Sequence, residues 1–174
     1  MKPAFIEIIH GTLISVMGVG VLLRGESGSG KSDCALELIS RGHILIADDA
    51  VSVERIDEVL FGSSADCLTG LLAVRGLGIC DIGQLYGNSS VADRCEIGLC
   101  INLRAETVAD DYEKFGCEQL EVEIMGMKIP YFVISNSTAR PLSVIVETVV
   151  RMLKTGVKTA ETSLIVRYDK AVAG

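Results

Sequence analysis

The chain of 174 residues has no tryptophan, only three prolines and 5% aromatic residues. With 49% hydrophobic and 22% charged residues it lies outside disordered, collagen-like and low-complexity compositions, and its length suits one compact domain with a generous core. Positive charge is also scarce: 16 Lys and Arg stand against 23 Asp and Glu, for a formal net charge of -7. No overall positive field exists to attract a phosphate backbone or an anionic membrane, so neither nucleic acid nor membrane is expected as a partner. Long apolar runs are missing too. The most apolar stretch, residues 13–23, is about half of a spanning segment and contains Gly18 and Gly20. Residues 1–9 carry one Lys, Pro3 and Glu7, and lack the zones of a signal peptide. The six cysteines form no C-x-x-C pair, and a core of this size needs no disulfide staples. They read as reduced, small apolar core fillers in a cytoplasmic protein.

Alternation and β-branched enrichment predict strands at 5–9, 12–17, 19–23, 44–47, 51–56, 71–74 and 97–103, with a hairpin over 119–134 that turns at Gly126. Two helices are expected. The first covers 30–41, with Ala35, Leu38 and Ile39 at helical spacing and Gly42 as its stop; the second starts at Pro141 and repeats Ile145, Val149, Met152 and Leu153 before Gly156. The polar stretches 57–69 and 105–116 read as edge loops or short helices. Residues 157–174 are weakly patterned, as a docking tail or a frayed end. No linker or repeat is visible.

The sharpest local signal is Gly25-Glu26-Ser27-Gly28-Ser29-Gly30-Lys31-Ser32, which satisfies the Walker A pattern G-x-x-x-x-G-K-[ST]. Glycines let successive backbone N–H groups turn inward around phosphate oxygens, and the following helix aims its positive end at the same anion. Lys31 would neutralise the β and γ phosphates of a nucleotide, and Ser32 would offer its hydroxyl to Mg²⁺. The apolar run Val19-Gly20-Val21-Leu22-Leu23 just before the loop and the helix just after it supply the setting the motif needs.

The run His43-Ile44-Leu45-Ile46-Ala47 leads straight into Asp48-Asp49. A β-α-β unit would return these acids to the carboxyl edge of the sheet, beside the loop. Neighbours on a strand face opposite ways, so one acid suits proton transfer and the other suits Mg²⁺ or positioning; the residues alone leave open which. His10 falls between two strands, and His43 reads as structural.

With Ile9-His10-Gly11-Thr12-Leu13, the loop, Arg41-Gly42-His43, Ala47-Asp48-Asp49 and Val74-Arg75-Gly76-Leu77-Gly78-Ile79 in this order, the chain resembles the catalytic domain of HPr kinase/phosphorylase. The resemblance implies a P-loop fold of the phosphoenolpyruvate-carboxykinase type: an α/β protein with a mixed sheet and flanking helices. It implies ATP-dependent phosphorylation of a serine of the phosphocarrier protein HPr, and its reversal by inorganic phosphate with release of pyrophosphate. It also implies a homohexamer. Residues 1–174 would be the single catalytic domain, without the family's N-terminal domain. Residues 25–32 would bind nucleotide, Lys31 would contact the transferred phosphate, and Ser32 and Asp48 would hold the metal. Asp49 would accept the seryl proton, His10 would lie near it, and Arg75 would clamp phosphate. The chain departs from the family pattern at Ala73, where a metal-holding Glu is usual, and at Lys114 in Tyr112-Glu113-Lys114-Phe115-Gly116, where an Arg is usual. The late loop over 135–140 also differs in length, which bears on the reverse reaction. A P-loop kinase for a small molecule and an ATP-sensing module without catalysis are the alternatives.

Overall fold

The computed structural model describes residues 5–105, 120–136 and 141–157. Its chain order is β1 (Ile6–His10), β2 (Thr12–Val16), β3 (Val19–Arg24), α1 (Lys31–Ser40), β4 (Ile44–Ala47), β5 (Ala50–Ile56), β6 (Val59–Ser63), β7 (Leu71–Val74), β8 (Gly78–Asp81), α2 (Ile82–Tyr86), β9 (Arg94–Ala105), β10 (Leu120–Ile124), β11 (Met127–Asn136) and α3 (Leu142–Thr155). The main sheet runs β1-β5-β6-β9-β3-β2-β4, with β11 also on β9 and β10 on β11; β7 and β8 form a separate ribbon.

The long strand β9 organises the sheet. Its first residues pair antiparallel with β6, its middle pairs parallel with β3, and its last half pairs parallel with β11. Strand β2 is antiparallel to both β3 and β4 and lies between them, so the β3-α1-β4 crossover skips a strand. The sheet is mixed, as expected, and the β-α-β unit read from the sequence spans an antiparallel strand that lies between its two parallel ones. The consequence for the site is the same, because β3, β4, β9 and β11 all end at one edge.

Apolar residues on the two faces of the sheet make two cores. Leu38 and Ile39 of α1 and Val146 and Val150 of α3 cover Val21, Leu23, Leu99 and Ile101 on one face. Leu13, Leu22, Val51, Leu60 and Cys100 fill the curl on the other. Odd positions of β3 thus face the helices and even ones the curl, as a period of two requires. Of the cysteines, Cys34 and Cys100 are buried, whereas Cys67 is exposed and fills no core. Burial pushes the thiol of Cys34 up to about 12 and that of Cys100 up to about 11.

The polar stretch 57–69 is not a loop throughout. Val59–Ser63 is strand β6, clamped between β5 and β9, followed by a short 3-10 turn at Asp66–Leu68. Pairing on both edges imposes a strand that five residues of weak alternation do not announce. The stretch 105–116 beyond Ala105, most of the late loop over 135–140, and the tail beyond Val157 lie outside the described residues. No helix among the described residues is long and apolar enough to cross a membrane.

Candidate active site

Between β3 and α1 the chain turns through Gly25 and Gly30, whose φ angles of 139° and 95° exclude ordinary side chains. A Cβ on Gly25 would strike the Leu103 carbonyl on β9, and one on Gly30 would strike the Asn136 amide at the end of β11. The loop therefore rests on the ends of two neighbouring strands. Asn136 Nδ2 also donates to the Ser29 carbonyl at 3.0 Å, a brace the sequence did not flag. Glu26, Ser27 and Gly28 stay exposed, and no side chain among the described residues caps the N-terminus of α1. Ser29 is 2% exposed, and its Oγ has no hydrogen-bond partner among the described residues.

Lys31 is buried, and its Nζ folds back to donate to the carbonyls of Gly25 and Glu26, each at 2.9 Å. The cation is thereby fixed under the first two residues of the loop. Ser32, half-buried, opens the helix beside it.

The adjacent aspartates sit in opposite environments. Asp48 is buried; its Oδ1 accepts from Thr12 Oγ1 at 2.7 Å and its Oδ2 accepts from the Ala73 amide at 3.1 Å. It ties β4 to β2 and to the β7-β8 ribbon. Asp49 has φ 67°, and the Ala50 N–H closes on the Asp48 carbonyl at 2.8 Å across it. This strained three-residue turn throws the Asp49 side chain outward, where it is 81% exposed. His10 Nδ1 lies 2.8 Å from the Asp49 carbonyl and 3.3 Å from its Oδ1.

Arg75 reaches over the loop from the ribbon: its Nη2 lies 3.1 Å from where a Cβ on Gly28 would stand. Residues 25–32, His10, Asp48, Asp49 and Arg75 thus converge on the carboxyl edge of the sheet. Lys114 lies outside the described residues.

A pocket of about 400 Å³ opens beside the loop, lined by His10, Arg24, Gly25, Glu26, Asn102 and Tyr131. Arg24, Asn102 and Tyr131 were not singled out from the sequence. Arg24, which ends β3 just before the loop, carried a local signal; Asn102 and Tyr131 lie inside β9 and β11, where none marks them.

Behind the site, Glu147 of α3 is buried and receives two hydrogen bonds from Arg41 and one from His43 Nε2, at 2.8–2.9 Å. These donors hold its carboxyl down at about 2. The cluster fastens the C-terminal end of α1 to α3, and the structural reading of His43 gains a partner.

Residues 3–166 match the family model described as HPr Serine kinase C-terminal domain. The chain is 46% identical over 158 residues to a protein named HPr kinase/phosphorylase from Leptospira biflexa serovar Patoc, covering 87% of this chain and 49% of that protein. It is 44% identical over 139 residues to one of the same name from Clostridium tetani, covering 80% and 46%. The chain spans about half the length of these relatives. A solved structure, Hpr(Ser) kinase/phosphatase from Coxiella burnetii, matches with a TM-score of 0.77 at 26% identity, over 86% of this chain and 97% of that one.

Proposed function

The chain belongs to the HPr Serine kinase C-terminal domain family, and on that footing we propose that it transfers the γ-phosphate of ATP to a serine of HPr and reverses the transfer with inorganic phosphate. In this reading residues 1–174 form one catalytic P-loop domain of the phosphoenolpyruvate-carboxykinase type, working in the cytoplasm as a homohexamer.

The observation that carries the proposal is the position of the Lys31 ammonium under Gly25 and Glu26, at the sheet edge where His10 and Asp49 stand. A Walker lysine reaches the β and γ phosphates, so the reacting end of ATP belongs at the start of the loop. The orphaned Ser29 hydroxyl and the uncapped helix are donors that phosphate oxygens would satisfy. Mg²⁺ fits as well. It takes few protein oxygens and completes its shell with phosphates and water, and Ser32 and Asp48 are hard oxygen donors at the right edge. When bound, it neutralises charge on the phosphates.

Asp49, exposed and beside His10, takes the proton as the seryl oxygen bonds to the γ phosphorus and the bond to the β-phosphate oxygen breaks. In reverse, a phosphate oxygen attacks the phosphoserine phosphorus, pyrophosphate forms, and Asp49 returns the proton to the seryl oxygen. Arg75 holds phosphate oxygens from above the loop. Lys114 would add charge to the same phosphates. Asp48, with both oxygens already engaged, keeps β4 and the ribbon in place and has only its remaining lone pairs for a metal.

The test is transfer of labelled γ-phosphate from ATP with Mg²⁺ to HPr and to HPr lacking its target serine. Label on the first alone is the expected result; no label with ATP binding intact would overturn the proposal.

A further inference from the structure

Thr12 has no part in the transfer chemistry above, yet its hydroxyl is fully buried at the start of β2, where a valine of nearly the same shape would carry no polar atom to satisfy. Among the described residues that hydroxyl bonds only to Asp48 Oδ1, at 2.7 Å. The contact follows from the register: β2 and β4 are antiparallel and pair at Leu13 and Ala47, so the residue before the first meets the residue after the second. Asp48 is itself buried, and no Lys, Arg or His among the described residues forms an ion pair with it. Neutral donors therefore set the direction of its carboxylate, with Oδ1 turned to Thr12 and Oδ2 to the Ala73 amide.

That amide belongs to a ribbon of only two strands. The outer edge of β7 has no strand to pair with, and Asp48 Oδ2 takes the place of one at Ala73. It is the only side-chain hydrogen bond among the described residues that joins the ribbon to the β2-β4 edge. Arg75 stands two residues farther along. Its guanidinium makes no hydrogen bond or ion pair among the described residues, yet it reaches 3.1 Å from where a Cβ on Gly28 would stand. Its place over the loop is thus set by the ribbon backbone and not by a contact of its own. We infer that Thr12 is a positioning residue: by holding the Asp48 carboxylate toward the Ala73 amide, it fixes the ribbon so that Arg75 stands over the phosphate loop. Thr12 touches no phosphate and moves no proton; it acts through Asp48 and Arg75. The inference rests on the proposed kinase reading only in taking ATP as the ligand of the loop.

Two measurements on the full chain test the link. Hydrogen exchange at the Ala73 amide should quicken about tenfold or more in Thr12→Val, with exchange at Leu22 of β3 changed far less, and Thr12→Ser, which keeps the hydroxyl, should match wild type. A merely structural role would quicken both amides together. In the second measurement ATP is titrated in the presence of EDTA, so that no metal at Asp48 enters the reading, against wild type, Thr12→Val, Arg75→Gln and the double variant. Thr12→Val should weaken ATP binding about three- to tenfold beside an intact Arg75 and leave the affinity of Arg75→Gln unchanged. Exchange at Ala73 that is unchanged or quickens only together with Leu22, an ATP affinity that falls equally or not at all in the two backgrounds, or a Thr12→Ser that behaves as Thr12→Val, each overturns the proposal. If Thr12→Val does not fold, Ala73→Pro removes the same hydrogen bond from the exposed side of the ribbon and is read by the same cycle. If wild type binds no ATP, the kinase reading fails, and the Ala73 exchange with the cycle repeated on inorganic phosphate still decides the link.

Discussion

The chain has two histidines, and each stands beside a carboxylate at the edge of a strand. His43 and Glu147 are enclosed: their side chains are 11% and 6% exposed, and Arg41 completes the carboxylate with two further hydrogen bonds. His10 and Asp49 are open, at 60% and 81%, on a turn held at positive φ. A saturated, buried pair has no capacity left for a substrate and stabilises the contact of α1 with α3. An exposed carboxylate with spare lone pairs, held in a strained turn beside a phosphate loop, is equipped to take a proton. The difference lies in what else reaches each pair, not in residue type.

The largest effect should come from breaking the open pair. Asp49→Asn should lower kcat for transfer to HPr by about 10²–10⁴-fold with ATP affinity unchanged, as removal of a positioned base does; a rate within threefold of wild type would take the base role from Asp49. Lys31→Ala should cost about 10²–10³-fold and weaken ATP binding as well, because it removes charge stabilisation at the phosphates. Parallel kinetics and nucleotide titrations would show the two signatures.

Breaking the closed pair should leave the chemistry and cost stability. Glu147→Gln should lose about 2 kcal/mol in denaturant unfolding, the scale of hydrogen bonds to a charged group, with transfer nearly unchanged. Because the carboxyl is held at about 2, below its ordinary 4.5, its contribution is fully present above pH 4.5 and disappears as pH falls toward 2. The variant should lack that part of the acid dependence, and an identical acid profile would show that the cluster is not what senses pH there.

The smallest effect sharpens the contrast between Asp48 and its neighbour. Ala73→Glu places a carboxylate on the residue whose amide Asp48 already holds, and it should shift the Mg²⁺ dependence of transfer to lower concentration by a few-fold. A titration that overlays wild type would mean that this position does not face the metal.

The open pair was more legible in the sequence than the closed one. The phosphate loop is contiguous because one turn must present consecutive amides, so residues 25–32 declare themselves. Asp48-Asp49 follows an apolar run, and a strand end can be read without knowing its neighbours. The different duties of the two acids could not be read, since they depend on Thr12 and Ala73 arriving from other elements and on the turn at Asp49. The closed cluster joins residues more than 100 positions apart, and no local pattern announces that. Strand β6 was missed for the same reason: its pairing with β9 is a tertiary fact. Arg24, Asn102 and Tyr131 come together only through the parallel register of β3, β9 and β11.

The most direct test sets the two pairs side by side: labelled-phosphate transfer from ATP to HPr at neutral pH by wild type, Asp49→Asn and Glu147→Gln, each first verified as folded. Loss of transfer in Asp49→Asn with near wild-type transfer in Glu147→Gln is the result expected if the open pair is chemical and the closed pair structural. Retained transfer in Asp49→Asn, or its loss in a well-folded Glu147→Gln, would contradict that division.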